Sequence, residues 1–145
     1  MTPSTPTPRY KKVMVIDDTE IDRYIARTNI QKYAFAEEVI CKESAKTALE
    51  YLKLFCDQPD ELPQLIFLDI RMPEMDGFGF LEEYAKLPDA IKKNCIIMML
   101  TSSLNADDQE KALNNKYVNR FLNKPLSKDK LVQFEEMSKS GSGSR

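Results

Sequence analysis

Between residues 10 and 137 the chain alternates short apolar runs with stretches in which apolar side chains recur every three or four positions. Lys12–Ile16 (KVMVI) predicts a first strand, and Ile21, Tyr24, Ile25 and Thr28 fall at helical spacing behind Thr19, a candidate cap. Glu38–Lys42 (EVICK) is a weaker second strand. Ser44 opens a helix with Ala45, Ala48, Leu49, Leu52 and Phe55 on one face. Leu62–Pro63 interrupts the pattern. Leu65–Leu68 (LIFL) is a third strand, followed by a helix after Gly77 carrying Phe78, Leu81, Tyr84 and Ala85. Cys95–Leu100 (CIIMML) is the fourth strand, and Asn105 with Asp107 and Asp108 marks the next helix start. Tyr117–Leu122 is the fifth strand, and Ser127 caps a last helix containing Leu131 and Phe134.

Five strand–helix units in alternation predict an α/β fold, a doubly wound parallel sheet with helices on both faces. Strands three and four are apolar throughout, as strands covered on both sides must be. The flanks differ. Residues 1–9, rich in Pro, Thr and Ser, predict a disordered tail. Residues 138–145 (SKSGSGSR at the end) predict a flexible linker or cloning scar, leaving one domain over 10–137.

In such sheets ligands bind at the carboxyl ends of the strands, near the switch in strand order. The first strand ends in Asp17 and Asp18, the third in Asp69, the fourth in Thr101, and the fifth in Asn123–Lys124–Pro125. Three carboxylates brought together repel one another unless a cation shares the site, and hard oxygen donors suit Mg²⁺. The carbonyl of Arg71 is a further candidate ligand. A carboxylate at such a site can act as nucleophile toward phosphorus, with Lys124 and the Thr101 hydroxyl sharing the phosphoryl charge. Read singly, Asp17, Asp18 and Thr101 are also ordinary helix caps, and Asp76–Gly77 is a turn rather than a site. Met72, Met75, Met98 and Met99 read as packing residues.

Composition narrows the options. The formal net charge is −2, from 21 basic and 23 acidic residues, and it gives no footprint for nucleic acid. Lys11–Lys12 and Lys92–Lys93 are too short for a basic patch. There is no histidine, so any phospho-histidine must be supplied by another protein. Cys41, Cys56 and Cys95 form neither a CxxC pair nor a zinc pattern, and Cys41 and Cys95 read as small buried hydrophobes. No apolar run reaches bilayer length. A cytoplasmic protein is expected.

The segments VMVIDD (13–18), LIFLDIRMPEMDGF (65–78), MLTSS (99–103) and FLNKPL (121–126), in this order, resemble the response-regulator receiver domains of two-component systems, the CheY-like family. The resemblance covers about residues 10–137. It implies a flavodoxin-like three-layer sandwich with strand order 2-1-3-4-5. It also implies Asp69 as phosphoacceptor, and Mg²⁺ (or Mn²⁺) held by Asp17, Asp18, Asp69 and the Arg71 carbonyl. Thr101 then matches the switch hydroxyl and Lys124 the site lysine, before a cis Lys124–Pro125 bond. Phe121 matches the switch aromatic, although as a residue it reads equally as core. Arg71 and Ser103 match positions that tune phosphoryl lifetime, and a slow to intermediate self-dephosphorylation is expected. The implied partners are a sensor histidine kinase or a histidine phosphotransfer protein, and a downstream protein at the face of the fourth helix, fifth strand and fifth helix. With no output domain expected after residue 137, the chain reads as a stand-alone regulator, a relay intermediate or an excised domain. The competing reading is a Mg²⁺-dependent phosphohydrolase with an aspartate nucleophile on the first strand. It lacks the DxD spacing, because Thr19 stands where the second acid is needed.

Overall fold

The computed structural model describes residues 8–93, 95–102 and 105–133. Five parallel strands, β1 (Tyr10–Ile16), β2 (Ala36–Lys42), β3 (Leu65–Leu68), β4 (Ile96–Thr101) and β5 (Val118–Asn123), form one sheet in the order β2-β1-β3-β4-β5. The helices are α1 (Glu20–Lys32), α2 (Ala45–Leu54), α3 (Gly77–Ala85), α4 (Ala106–Leu113) and α5, described over 128–133. Two short turns escaped the hydrophobic pattern, a 3₁₀ turn at Pro59–Glu61 and a helical turn at Asp89–Lys92. Both are too brief to show a period.

The sheet divides the core by side-chain alternation. Met14, Ile16, Ile66, Leu68, Ile97 and Met99 face α2, α3 and α4, meeting Ala48, Leu52, Phe80, Tyr84 and Ala112. Val13, Val15, Leu65, Phe67, Met98 and Leu100 face α1 and α5, meeting Ala26, Ile30 and Leu131. This is the expected three-layer, doubly wound arrangement. β3 is buried at every position, whereas the edge strands β2 and β5 are largely half-exposed.

The face of α1 that meets the sheet carries Ala26 and Ile30, while Ile21 and Tyr24 are 59% and 57% exposed. Small Ala26 lets the helix lie close to the strands, and the bulkier residues point outward. Tyr84 lies wholly inside, and Phe80 joins Leu81 and Tyr84 on the buried face of α3 in place of Phe78 and Ala85. Cys41 and Cys95 are half-buried, as is Cys56. Lys12 is buried, with its ammonium 3.1 Å from Glu61 and 3.5 Å from Glu38. Ser44, Asp76 and Asn105 cap α2, α3 and α4 through their side chains. The Ser127 hydroxyl accepts from Lys130 N–H at 3.4 Å. Thr19 occupies the cap position of α1 without a side-chain bond. Phe134, Ser103, residues 1–7 of the N-terminal tail and residues 138–145 lie outside the described residues.

α1 ends in a Schellman motif. The N–H of Phe35 donates to Ile30 O at 2.9 Å and that of Ala34 to Gln31 O at 3.2 Å. Ala34 sits at φ 53°, in the left-handed region that glycine adopts without penalty. Ala34→Gly should therefore raise stability by about 0.5–1 kcal/mol. A higher urea midpoint at unchanged slope is the expected reading.

Candidate functional site

The polar groups of the site sit on strand ends because parallel strands all point the same way. β1 delivers Asp17 and Asp18. β3, paired with it from Val13↔Leu65 to Ile16↔Leu68, delivers Asp69 to the same edge. Asp69 N–H donates to Ile16 O at 3.0 Å and Asp17 N–H to Lys42 O at 3.0 Å, so the strand ladders run directly into the acids. Asp17 and Asp69 are buried, and Asp18 is exposed. One oxygen from each of the three lies within 4.8 Å of the others. Three hard oxygen donors at this separation fit a divalent cation.

Lys124, from the end of β5, reaches across to this cluster. Its ammonium stands 2.6 Å from Asp17 Oδ2, 2.7 Å from Asp22 Oδ2 and 3.3 Å from Asp69 Oδ2. The Lys124 N–H donates to Thr101 O at 2.9 Å, tying β5's end to β4's. Thr101 is buried at the end of β4, opposite Asn123. The Lys124–Pro125 peptide is cis. Phe121 pairs with Met99 and is half-buried against the core. Arg71 extends from the loop after β3 and pairs with Asp108 in the first turn of α4. Asp17, Asp18, Asp69, Thr101 and Lys124 thus occupy one edge of the sheet.

Asp22 is the residue that sequence reading missed. It lies in the first turn of α1, where an acid is ordinarily explained by the helix dipole. Only the fold shows that this turn overlies Lys124. The local hold is completed by Asp17, whose Oδ1 accepts from Thr19 N–H at 2.9 Å and whose carbonyl accepts from Arg23 Nη1 at 2.8 Å.

The acids carry the electrostatic strain of this packing. Burial, and next the Asp17 charge, push Asp69 up to about 6, against Lys124 and a hydrogen bond from the Arg71 N–H. Burial also lifts Asp17 above the usual carboxylate range, despite bonds from Lys124 and Thr19. Burial opposes the Lys124 ammonium, but hydrogen bonds to Asp17 and Asp22 and the charges of Asp17 and Asp69 outweigh it and hold its pKa above the ordinary lysine value.

Gly77 explains the Asp-Gly that opens α3. A Cβ there would stand 2.5 Å from the Asp69 carbonyl oxygen and 3.0 Å from Ile70 Cα, while Gly77 N–H donates to Ile70 O at 2.8 Å. The helix start is pressed onto the backbone of the central acid.

The chain belongs to the response regulator receiver domain family, whose model matches residues 13–135. Among curated relatives it is 28% identical over 124 residues to the probable methanogenesis regulatory protein FilR2 of Methanothrix harundinacea, covering 86% of this chain and 78% of that one. It is 36% identical over 85 residues to Histidine kinase 2 of Arabidopsis thaliana, covering 59% of this chain but 7% of the kinase. Among solved structures, a two component response regulator from Cytophaga hutchinsonii superposes with TM-score 0.80 at 27% identity, covering 88% of this chain and 95% of that one. The receiver domain of the Arabidopsis histidine kinase CKI1, complexed with Mg²⁺ and BeF₃⁻, gives TM-score 0.72 at 27% identity, covering 89% and 90%. The relatives thus include response regulators and histidine kinases of which the chain matches only a section, and the phosphohydrolase reading finds no support among them.

Two outcomes follow from this geometry. Because the Asp69 pKa is raised in the fold, its bound proton stabilises the protein below the unfolded carboxylate value of about 3.9, and this stabilisation is lost as pH rises through about 6. Asp69→Asn should therefore raise metal-free stability by about 1–3 kcal/mol at pH 7.5, and the gain should fade toward pH 4. Urea melts across that range check it. Gly77→Ala should cost about 2 kcal/mol or more and weaken divalent-cation binding, because the added methyl displaces the Asp69 backbone. Thermal melts with and without Mg²⁺ read both effects.

Proposed function

We propose that this receiver domain, spanning residues 10–137, accepts a phosphoryl group from a phospho-histidine donor onto Asp69. The observation that carries the reading is the convergence of Asp17, Asp18 and Asp69 oxygens within 4.8 Å, with the Lys124 ammonium 3.3 Å from Asp69. Asp17, Asp18, Asp69 and the Arg71 carbonyl would hold Mg²⁺, with Mn²⁺ able to substitute. When bound, the cation would supply positive charge to offset that of the phosphoryl oxygens. The CKI1 receiver, similar in fold and 27% identical, was solved with Mg²⁺ and BeF₃⁻, which supports the metal assignment.

In the transfer, an Asp69 carboxylate oxygen forms a bond to phosphorus. The phosphorus–nitrogen bond of the donor breaks, and its electron pair returns to the imidazole. Lys124 is the fixed positive charge beside the acceptor, and its ties to Asp17 and Asp22 hold it there. The Thr101 hydroxyl, on the neighbouring strand end, donates to the phosphoryl group. Asp69 must be ionised to attack.

The output is a change of shape. Thr101 drawn toward the phosphoryl group opens room for the half-buried Phe121 ring, and the α4–β5–α5 face shifts between two states. Leu113 of α4 is 52% exposed, which suits a protein partner there. The donor is a sensor histidine kinase or a histidine phosphotransfer protein. The domain turns over no small substrate, and its own dephosphorylation, tuned by Arg71 and Ser103, is slow to intermediate. No described helix is long and apolar enough to cross a membrane. A cytoplasmic location is part of this proposal, as is the assignment of both ends as tails.

Acetyl phosphate with Mg²⁺ should add one phosphoryl group by intact mass, and Asp69→Asn should take up none. No gain in the wild-type chain, or a gain that survives Asp69→Asn, would overturn the assignment.

A further inference from the structure

Asp22 stands apart from the acids that would hold a cation. The oxygens of Asp17, Asp18 and Asp69 lie within 4.8 Å of one another, and Asp22 does not belong to that group. It comes from the first turn of α1 rather than from a strand end, and it meets the site at the Lys124 ammonium, 2.7 Å from its Oδ2. The same ammonium stands 2.6 Å from Asp17 Oδ2 and 3.3 Å from Asp69 Oδ2. Lys124 thus shares two acids with the candidate cation site and has one acid outside it.

An ammonium has three N–H donors and no acceptor. A divalent cation entering the cluster competes with it for Asp17 and Asp69, and the two positive charges repel. Water is a poor refuge, because the Lys124 side chain is only 11% exposed and a buried charge needs a replacement partner. Asp22 is that partner, already in contact. Its own place does not depend on the Asp17 carboxylate. The neighbouring Arg23 donates through Nη1 to the Asp17 backbone carbonyl at 2.8 Å, which ties the first turn of α1 to the end of β1. Lys124 starts from a fixed point as well, since its N–H donates to Thr101 O.

We propose that Asp22 is a positioning residue that seats the Lys124 ammonium while a divalent cation holds Asp17 and Asp69, so that both positive charges can share the site. This rests on the reading of Asp17, Asp18 and Asp69 as the cation's ligands. With Asp22 in place, Lys124 keeps a counter-charge without drawing on those ligands. Without it, the ammonium falls back on Asp17 and Asp69 and the cation must displace it. Two plainer roles exist for Asp22. It is an acid at a helix start, favoured by the dipole, and it is a negative charge that attracts any cation to this edge. Neither role acts through Lys124.

The test is a double-mutant cycle on the full chain, with Mg²⁺ alone as the probe and its affinity read by calorimetric titration. Asp22→Asn should weaken Mg²⁺ binding about tenfold when Lys124 is present and no more than about threefold in a Lys124→Met background, a coupling of the size found between residues in contact. Equal losses in the two backgrounds would show Asp22 acting as a remote charge and overturn the proposal. A lowered urea midpoint in Asp22→Asn at unchanged Mg²⁺ affinity would assign it to the helix dipole and overturn it too. A second reading needs no change at Lys124. With Mg²⁺ saturating, the ¹⁵N signal of the Lys124 ammonium should persist in the wild-type chain, where acceptors protect its protons, and be lost to exchange with water in Asp22→Asn. Persistence in Asp22→Asn would overturn the seat while leaving the cation site standing. A wild-type chain that binds no Mg²⁺, or binds it equally well as Asp69→Asn, would overturn the ligand reading itself, and the seat with it.

Discussion

One ammonium group makes this acid cluster tolerable. Asp17, Asp22 and Asp69 all lie within 3.3 Å of Lys124 Nζ, and two of the three are largely removed from water. Paired burial of charge is favourable only when counter-charge and hydrogen bonds replace the lost hydration. Lys124 supplies that replacement unevenly. It sits closest to Asp17 and Asp22 and furthest from Asp69, and Asp69 is the acid with a pKa pushed up to about 6. The arrangement leaves the central acid least compensated. A further positive charge, from a metal, has most to gain there.

The sheet order sets who takes part. β5 is separated from β1 by two strands, yet Lys124 meets an acid from β1 and another from α1. The backbone bond from Lys124 N–H to Thr101 O fixes where the lysine starts, and its long stem does the rest. Thr101, Lys124 and Asp69 are thus mechanically linked through neighbouring strand ends rather than through any one loop. A disturbance at Asp69 has a short path to β5 and to α4, which buries Ala112.

Much of this was legible in the residues. LIFL and CIIMML announced strands covered on both faces, and the acids after VMVI and LIFL declared the ligand-binding edge. The strand order itself came from resemblance to a family and not from periodicity. What failed to show had identifiable causes. Ile21 and Tyr24 have the right spacing for a core face, but α1 is set by the smaller Ala26 and by Ile30, which hydrophobicity alone ranks no higher. Asp22 resembled any acid at a helix start until the fold put it beside Lys124. Arg71 was visible as a neighbour of Asp69, yet nothing local pointed to Asp108, thirty-seven positions onward. A long-range pair between a loop and a helix leaves no periodic trace.

β3 is the shortest strand of the sheet, four residues from Leu65 to Leu68, and each of them is covered. Its even and odd positions belong to opposite halves of the core. Such a strand has no slack. Inserting or deleting one residue would exchange the two halves and swing the Asp69 carboxylate to the wrong side. Surrounding loops can lengthen and drift over evolutionary time, but this segment works as a ruler, and its length is as much a part of the chemistry as the aspartate it carries.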